Sequence, residues 1–466
     1  MEVRSLAVAL AALIVTSATP ALARGERSIP AQRTIVGAPA SSPAVHAPRW
    51  RRAVTLGDPR HPLFLEAGQA PAPLTGFGWR TEAPVLVAGG GRVFASVGSR
   101  LCAFAQTDGR TLWCANGAAG RYAFAHGEVV SFDAGRATAF AGATGRRRWN
   151  ARATRVVPTI AGFGAMTLRY FAELDPDGRE LWRTRVNGDL DTTINGYLDS
   201  EPIAIGARTM LLHTFINGAR FGDPVYRLTS GAGGGLVALG TESPGVIGWD
   251  GARIVLAGGW RAREVQDNTL TFEVDELDLG LRKVQAEWTY APDYDENNGL
   301  MLSFSSTADA VRTRMTAVEN GALYASVLSR VYRYRLAPPA GQHPLLVSDY
   351  GRWVGGPLRG TLLIERFDGL WIVRVDGRRT IETRALEYPD GVRLAALALA
   401  DGNAYVATTD GAVGAFDART GRRAIDARTG CHRYHDVLVE PASVLFVCTD
   451  AQNPVIFAFP RVRAAS

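Results

Sequence analysis

The stretch Leu101-Cys102-Ala103-Phe104-Ala105-Gln106-Thr107-Asp108-Gly109-Arg110-Thr111-Leu112-Trp113 decides the fold, because the chain repeats its second half. Asp108-Gly109-Arg110-Thr111-Leu112-Trp113 returns as Thr144-Gly145-Arg146-Arg147-Arg148-Trp149 and as Asp177-Gly178-Arg179-Glu180-Leu181-Trp182. Two further copies are Asp376-Gly377-Arg378-Arg379-Thr380-Ile381 and Thr420-Gly421-Arg422-Arg423-Ala424-Ile425. Each is Asp or Thr, then Gly-Arg, then a large apolar residue four positions after the glycine, with a small apolar run before it. The glycines are spaced by 36 and 33 residues in the first three copies and by 44 in the last two. A period of this size marks a repeat architecture.

The physics of one repeat is that of a hairpin. Asp-Gly between two apolar runs is a strong turn signal, because glycine tolerates the positive φ that tight turns demand. The run before the turn alternates, with Leu101, Ala103 and Ala105 set against Cys102 and Phe104. Upstream lie Arg92-Val93-Phe94-Ala95-Ser96-Val97 and Pro84-Val85-Leu86-Val87-Ala88. The unit is therefore four short antiparallel strands. One such sheet cannot bury both of its faces, so neighbours stack on it. Closing the stack into a ring gives an all-β, β-propeller fold with four-stranded antiparallel blades. Trp113, Trp149 and Trp182 fall in outermost strands, where an indole docks one blade on the next. Diverged units follow at 202–241, 245–290 and 315–349, and 274–288 reads as a stretched outer hairpin whose docking residue is Trp288. The last unit has three strands, at 436–440, 444–448 and 455–459. Gly78-Trp79-Arg80-Thr81 is similar to Leu181-Trp182-Arg183-Thr184, so this N-terminal strand is expected to complete the last blade and tie the ring shut.

The apolar strand, the Ala/Phe-rich strand and the Asp/Thr-Gly-Arg-x-x-Trp phrase together resemble the repeat of quinoprotein-type (pyrroloquinoline-quinone-like) β-propellers. Phe416-Asp417-Ala418-Arg419-Thr420-Gly421 is close to that family's core phrase. The resemblance is good over 84–182 and 361–425 and fades over 190–350. It implies eight blades, whereas a raw count of units reaches nine; seven to nine is the range. Catalytic members of the family hold the quinone beneath a disulfide of adjacent cysteines and beside calcium. This chain has no Cys-Cys pair and no matching calcium motif, so the resemblance implies a non-catalytic propeller.

Three zones are expected: a signal peptide over 1–23, an Ala/Pro/Ser-rich tether and rim segment over 24–73, and one propeller domain over 74–462. Arg4 precedes an apolar run at 6–15, too short to span a bilayer, and Ala21-Leu22-Ala23 reads as a cleavage site. Export into an oxidising compartment follows, as a secreted or periplasmic protein. The four cysteines fit it: pairing of Cys102 with Cys114 and of Cys431 with Cys448 is the simplest of three connectivities. The net charge is +6, and the single lysine is Lys283. The arginines recur at turns rather than in one block, which reads as solvated surface and not as a nucleic-acid site.

Candidate chemistry is sparse. Cys431-His432-Arg433-Tyr434-His435-Asp436 resembles a metal cluster, but His432 and His435 fall on opposite faces of a strand and Cys431 is assigned to a disulfide. Asp293-Tyr294-Asp295-Glu296-Asn297-Asn298-Gly299 suits a calcium loop in its alternating oxygens, yet its glycine is one place late and position 304 is Phe304. Asp189-Leu190-Asp191 is a weaker second candidate. Gly231–Gly235 precedes a strand and reads as a loop or bulge rather than an anion cradle. No G-x-S-x-G elbow, Walker loop or H-E-x-x-H occurs. The expectation is a monomeric binding or scaffold module with no cofactor assigned, whose partner is a protein or an envelope polymer, bound through loops at 215–235, 262–270 and 291–310. Resemblance to outer-membrane assembly scaffolds supports this reading, although no lipid-attachment cysteine is present. The rival readings are a quinone-dependent oxidoreductase with its cofactor in the channel and a carbohydrate-active enzyme with paired carboxylates there.

Overall fold

Each repeat phrase turns the chain from the third to the fourth strand of a sheet in the computed structural model. The structure describes residues 29–36 and 45–55 and, with short interruptions, 86–185, 196–290, 316–335, 345–449 and 454–462. The turns explain the phrase residue by residue. Gly109, Gly145 and Gly421 have φ of 71°, 71° and 76°. Asp108 Oδ1 accepts the N–H of Arg110 at 2.9 Å, and the Thr144 and Thr420 hydroxyls accept those of Arg146 and Arg422 at 3.3 Å. The Asp or Thr thus bridges the glycine and fixes the loop. These turns are wider than a two-residue hairpin: Ala105 bonds Gly109 and Arg110, and Asp417 bonds Gly421 and Arg422. The copy at 376–379 is the tight one, with Asp376 paired directly to Arg379.

Among the described residues the strands form nine sheets. In chain order these blades cover 86–116, 121–151, 155–185, 196–238, 244–290, 316–348, 352–387, 394–428 and 434–460. Nine sheets among the described residues fall within the expected range of seven to nine, and each diverged middle unit keeps a sheet of its own. Both faces of a blade are buried: Leu101, Cys102, Ala103 and Phe104 are all inaccessible, so the alternation divides two interblade seams rather than core from solvent. Tyr122 and Phe140 pack with Phe94 between blades one and two, Trp149 with Phe163 between two and three, and Tyr324 with Trp353 between six and seven. Leu445 and Ile456 of blade nine pack with Val93 and Phe104 of blade one, which closes the ring.

Parts of the segment expected as tether and rim pair with outer strands of the blades. Ile29–Pro30 runs parallel to Leu345–Ser348 on the outer edge of blade six, and Gln32–Val36 runs parallel to Arg379–Glu387 on blade seven. Val45 bridges Ile425 of blade eight. Trp50–Ala53 then pairs antiparallel with Val455–Pro460 and supplies the fourth strand of blade nine, and Thr55 bridges Ser96 of blade one. The strand that completes the last blade is therefore Trp50–Ala53, the place expected for residues 78–81, which lie outside the described residues. The segment behaves as a strap because outer strands offer free main-chain groups that any extended chain can pair with.

A four-stranded meander sorts its turns by face. Turns between first and second and between third and fourth strands share one end of the blade; the second-to-third turns and the blade connections share the other. All five Gly-Arg turns are on the first face. No helix among the described residues is long and apolar enough to cross a membrane.

Candidate functional site

The tryptophans build a relay around the first seams. The Trp113 indole N–H donates to Gly142 O at 2.9 Å, and its ring covers Gly145 of blade two, where an added Cβ would stand 2.5 Å from the ring. Trp149 repeats this on blade three, donating to Pro176 O at 2.9 Å and covering Gly178 at 2.4 Å. Trp182 lies against Gly234 of blade four, where an added Cβ would stand 2.5 Å from the indole nitrogen. Trp50, which the sequence did not single out, does the same from blade nine to one, donating to Gln106 O at 2.8 Å and covering Gly109 at 2.7 Å. Trp288 pairs with Val274 in the backbone register of blade five. The glycine-rich 231–235 segment is the third-to-fourth turn of blade four, which lost the repeat phrase but kept a glycine under the tryptophan.

Carboxylates fasten several seams as well. Glu173, fully buried in blade three, accepts the Trp182 indole at 2.6 Å, the Gly231 N–H at 2.7 Å and the Ser230 hydroxyl, tying blade three to blade four. Glu365 accepts the Leu394 N–H of blade eight at 2.6 Å and pairs with Arg352. Glu440 of blade nine accepts from Gln106 of blade one at 3.0 Å, and burial pushes its carboxyl up from the ordinary range. Burial likewise raises Glu128, against the opposing pull of Arg148 and the Trp149 indole. Sequence alone hid Glu173, Glu365 and Glu440 as seam acids, since each has a partner on a neighbouring blade, 57 residues away for Glu173 and Ser230. On the rim, Asp410 is held below its usual value: burial opposes this, but bonds from Thr408 and the Ala412 N–H, with Arg428 nearby, prevail.

Disulfides join Cys102 to Cys114 across the outer strands of blade one, and Cys431, in the connection from blade eight, to Cys448 of blade nine. Cys431 is thereby committed to sulfur, and the His432 ring nitrogen meets Thr409 O at 2.9 Å. Among the described residues no three His, Cys, Asp or Glu side chains group as a metal site. The segments 189–191, 217–224, 264–268 and 291–315, with the calcium-loop candidate and much of the expected binding loops, lie outside the described residues.

What remains for recognition is the second-to-third-turn face. Of the large apolar side chains exposed among the described residues, Val97, Tyr170 and Phe367 flank second-to-third turns, and Tyr350 lies in the connection from blade six to seven. Phe367 is 80% exposed at a turn tip. Beside it, Trp371 donates to Asp368 at 2.9 Å and Arg384 reaches Asp368 at 3.5 Å, giving the aromatic tip a rigid charged base. The other exposed apolar residues, Ile35, Val36, Leu112 and Val237, are on the perimeter.

Residues 74–159 match the family model described as outer membrane protein assembly factor BamB. BamB from Moraxella catarrhalis is similar in structure at 13% identity, covering 80% of this chain and 96% of that one, with a TM-score of 0.41. Quinohemoprotein alcohol dehydrogenase ADHIIG from Pseudomonas putida HK5 is similar at 11% identity, over 82% of this chain and 74% of that one, with a TM-score of 0.40. The Pan2 WD40 domain of Neurospora crassa is similar at 11% identity, over 90% of this chain and 98% of that one, with a TM-score of 0.35. No curated protein matches the chain.

Proposed function

We propose that this protein is an exported, non-enzymatic propeller that binds a protein partner through its second-to-third-turn face. The observation that carries the reading is the placement of Val97, Tyr170, Tyr350 and the 80%-exposed Phe367 at that one face. Exposed aromatics on a rigid base are what interface anchors require. The buried carboxylates Glu173, Glu365 and Glu382 support it too, since each is engaged in a seam or strap contact, and Glu128 is held within its own blade by Arg148 and Trp149. Export is supported by the apolar run at 6–15 with its small-residue cleavage pattern and by the two disulfides. The match of residues 74–159 to a model described as an outer membrane assembly factor supports an envelope scaffold role.

The rival is a quinone-dependent oxidoreductase. Titration of the purified protein with the quinone, with and without calcium, separates the two. A ligand that binds the native state raises the melting temperature. The scaffold reading expects neither a saturable shift nor a new visible absorbance band; saturable binding with a spectral change would replace it by the oxidoreductase.

A further inference from the structure

The outer edge of blades six and seven carries a built socket. The strap pairs there through its backbone: the Ala31 N–H donates to Leu346 O at 3.1 Å and the Gln32 N–H to Arg378 O at 3.0 Å as it crosses from one blade to the next. Such pairing is indifferent to side chains. One side chain supplies the specificity. Arg33 reaches Glu382 at 2.6 Å, donates to the Tyr350 hydroxyl at 3.0 Å, and lies 3.9 Å from Asp349. Glu382 is 1% exposed, whereas every residue of the Gln32–Val36 strand is exposed. The strap is therefore held by main-chain bonds and one arginine, with little apolar area buried.

The socket survives without the strap. Arg366, itself fully buried, bonds the same Glu382 oxygen at 2.8 Å, and its guanidinium lies 4.1 Å from the Tyr350 ring centre and 4.7 Å from that of Trp371. Removing Arg33 leaves Glu382 paired, so departure of the strap avoids the large cost of an orphaned buried charge. Blade seven would then present the free edge of Arg379–Glu387 beside an acidic pocket of Glu382 and Asp349.

We propose that this edge is a docking site for an extended, arginine-bearing peptide segment of a partner, added as a parallel strand, and that residues 29–36 occupy it in cis. The strap stays tethered through Val45 and Trp50–Ala53, so its local concentration is high and an external peptide must compete with it. The site lies on the perimeter and shares Tyr350 with the partner face proposed above, but its backbone edge and Glu382 take no part in that face.

The test uses the full chain and a fluorescein-labelled peptide of residues 28–37. Arg33→Glu sets like charge against Glu382 and Asp349 and should loosen the strap, seen as faster deuterium uptake over 29–36. The labelled peptide should then bind this variant saturably, at least about tenfold tighter than the unsubstituted protein, and an Arg33→Ala peptide should lose about tenfold, as expected for one charged hydrogen-bonded contact. Should Arg33→Glu prevent folding, excess unlabelled peptide added to the unsubstituted protein should accelerate exchange of its own strap. Unchanged exchange in Arg33→Glu, a loosened strap with no peptide binding, equal binding of the Arg33→Ala peptide, or no acceleration in the competition would each overturn the proposal.

Discussion

Gly145 and Gly377 occupy the same position of the repeat phrase but do different work. Both have positive φ, 71° and 60°. An added Cβ at Gly145 would meet the Trp113 ring at 2.5 Å, whereas at Gly377 it would meet nothing within 4 Å. Gly377→Ala should cost about 1 kcal/mol, the strain of a left-handed residue. Gly145→Ala adds overpacking and should cost about 2–4 kcal/mol. Urea unfolding of the two variants reads the difference, and equal losses would show that the indole is not docked there. The phrase was legible because its residues act within six positions of one another: Asp108 on Arg110, Gly109 in the turn. Glu173 was not, because its partners on blade four come close only after two sheets have stacked.

Strands follow the same division. Those of blades one to three and seven to nine stand where alternation and turn residues place them, since each pairs with its neighbour in sequence. The diverged hairpin at 231–235 kept only its glycines, and its kinship with the Asp-Gly-Arg turns shows in the seam with Trp182. The strap was hidden by composition. Its pieces are short, bordered by Ala, Pro and Ser, and paired to strands more than 300 residues away. Parallel edge pairing leaves no sequence pattern, because only the backbone takes part. Trp79 offered a better match to the repeat than Trp50, yet Trp50 lies on Gly109 and donates to Gln106. Trp50→Ala should therefore cost about 3–5 kcal/mol, the usual loss for truncating a buried tryptophan, and lower the melting temperature. A larger loss from Trp79→Ala than from Trp50→Ala would return ring closure to residues 78–81.

Among the described residues the seams from blade nine through blade four are fastened by tryptophan on glycine, others by carboxylates, and the outer edges of blades six to nine by a strap. Stacked repeats draw stability from each neighbour interface, so a ring without free ends gains one more interface than an open stack. Such a body suits holding loops in fixed relation. Its two faces differ in chemistry: Gly-Arg turns crowd one, and exposed Val97, Tyr170, Tyr350 and Phe367 mark the other. The direct test is site-specific photo-crosslinking in the cells that make the protein, with a benzophenone side chain at position 367 and, as the opposite-face control, at Thr144. The partner-face reading predicts a discrete protein adduct from position 367 that is absent from position 144 and lost when Tyr170 and Tyr350 are replaced by aspartate. A discrete adduct from position 144 alone would contradict it.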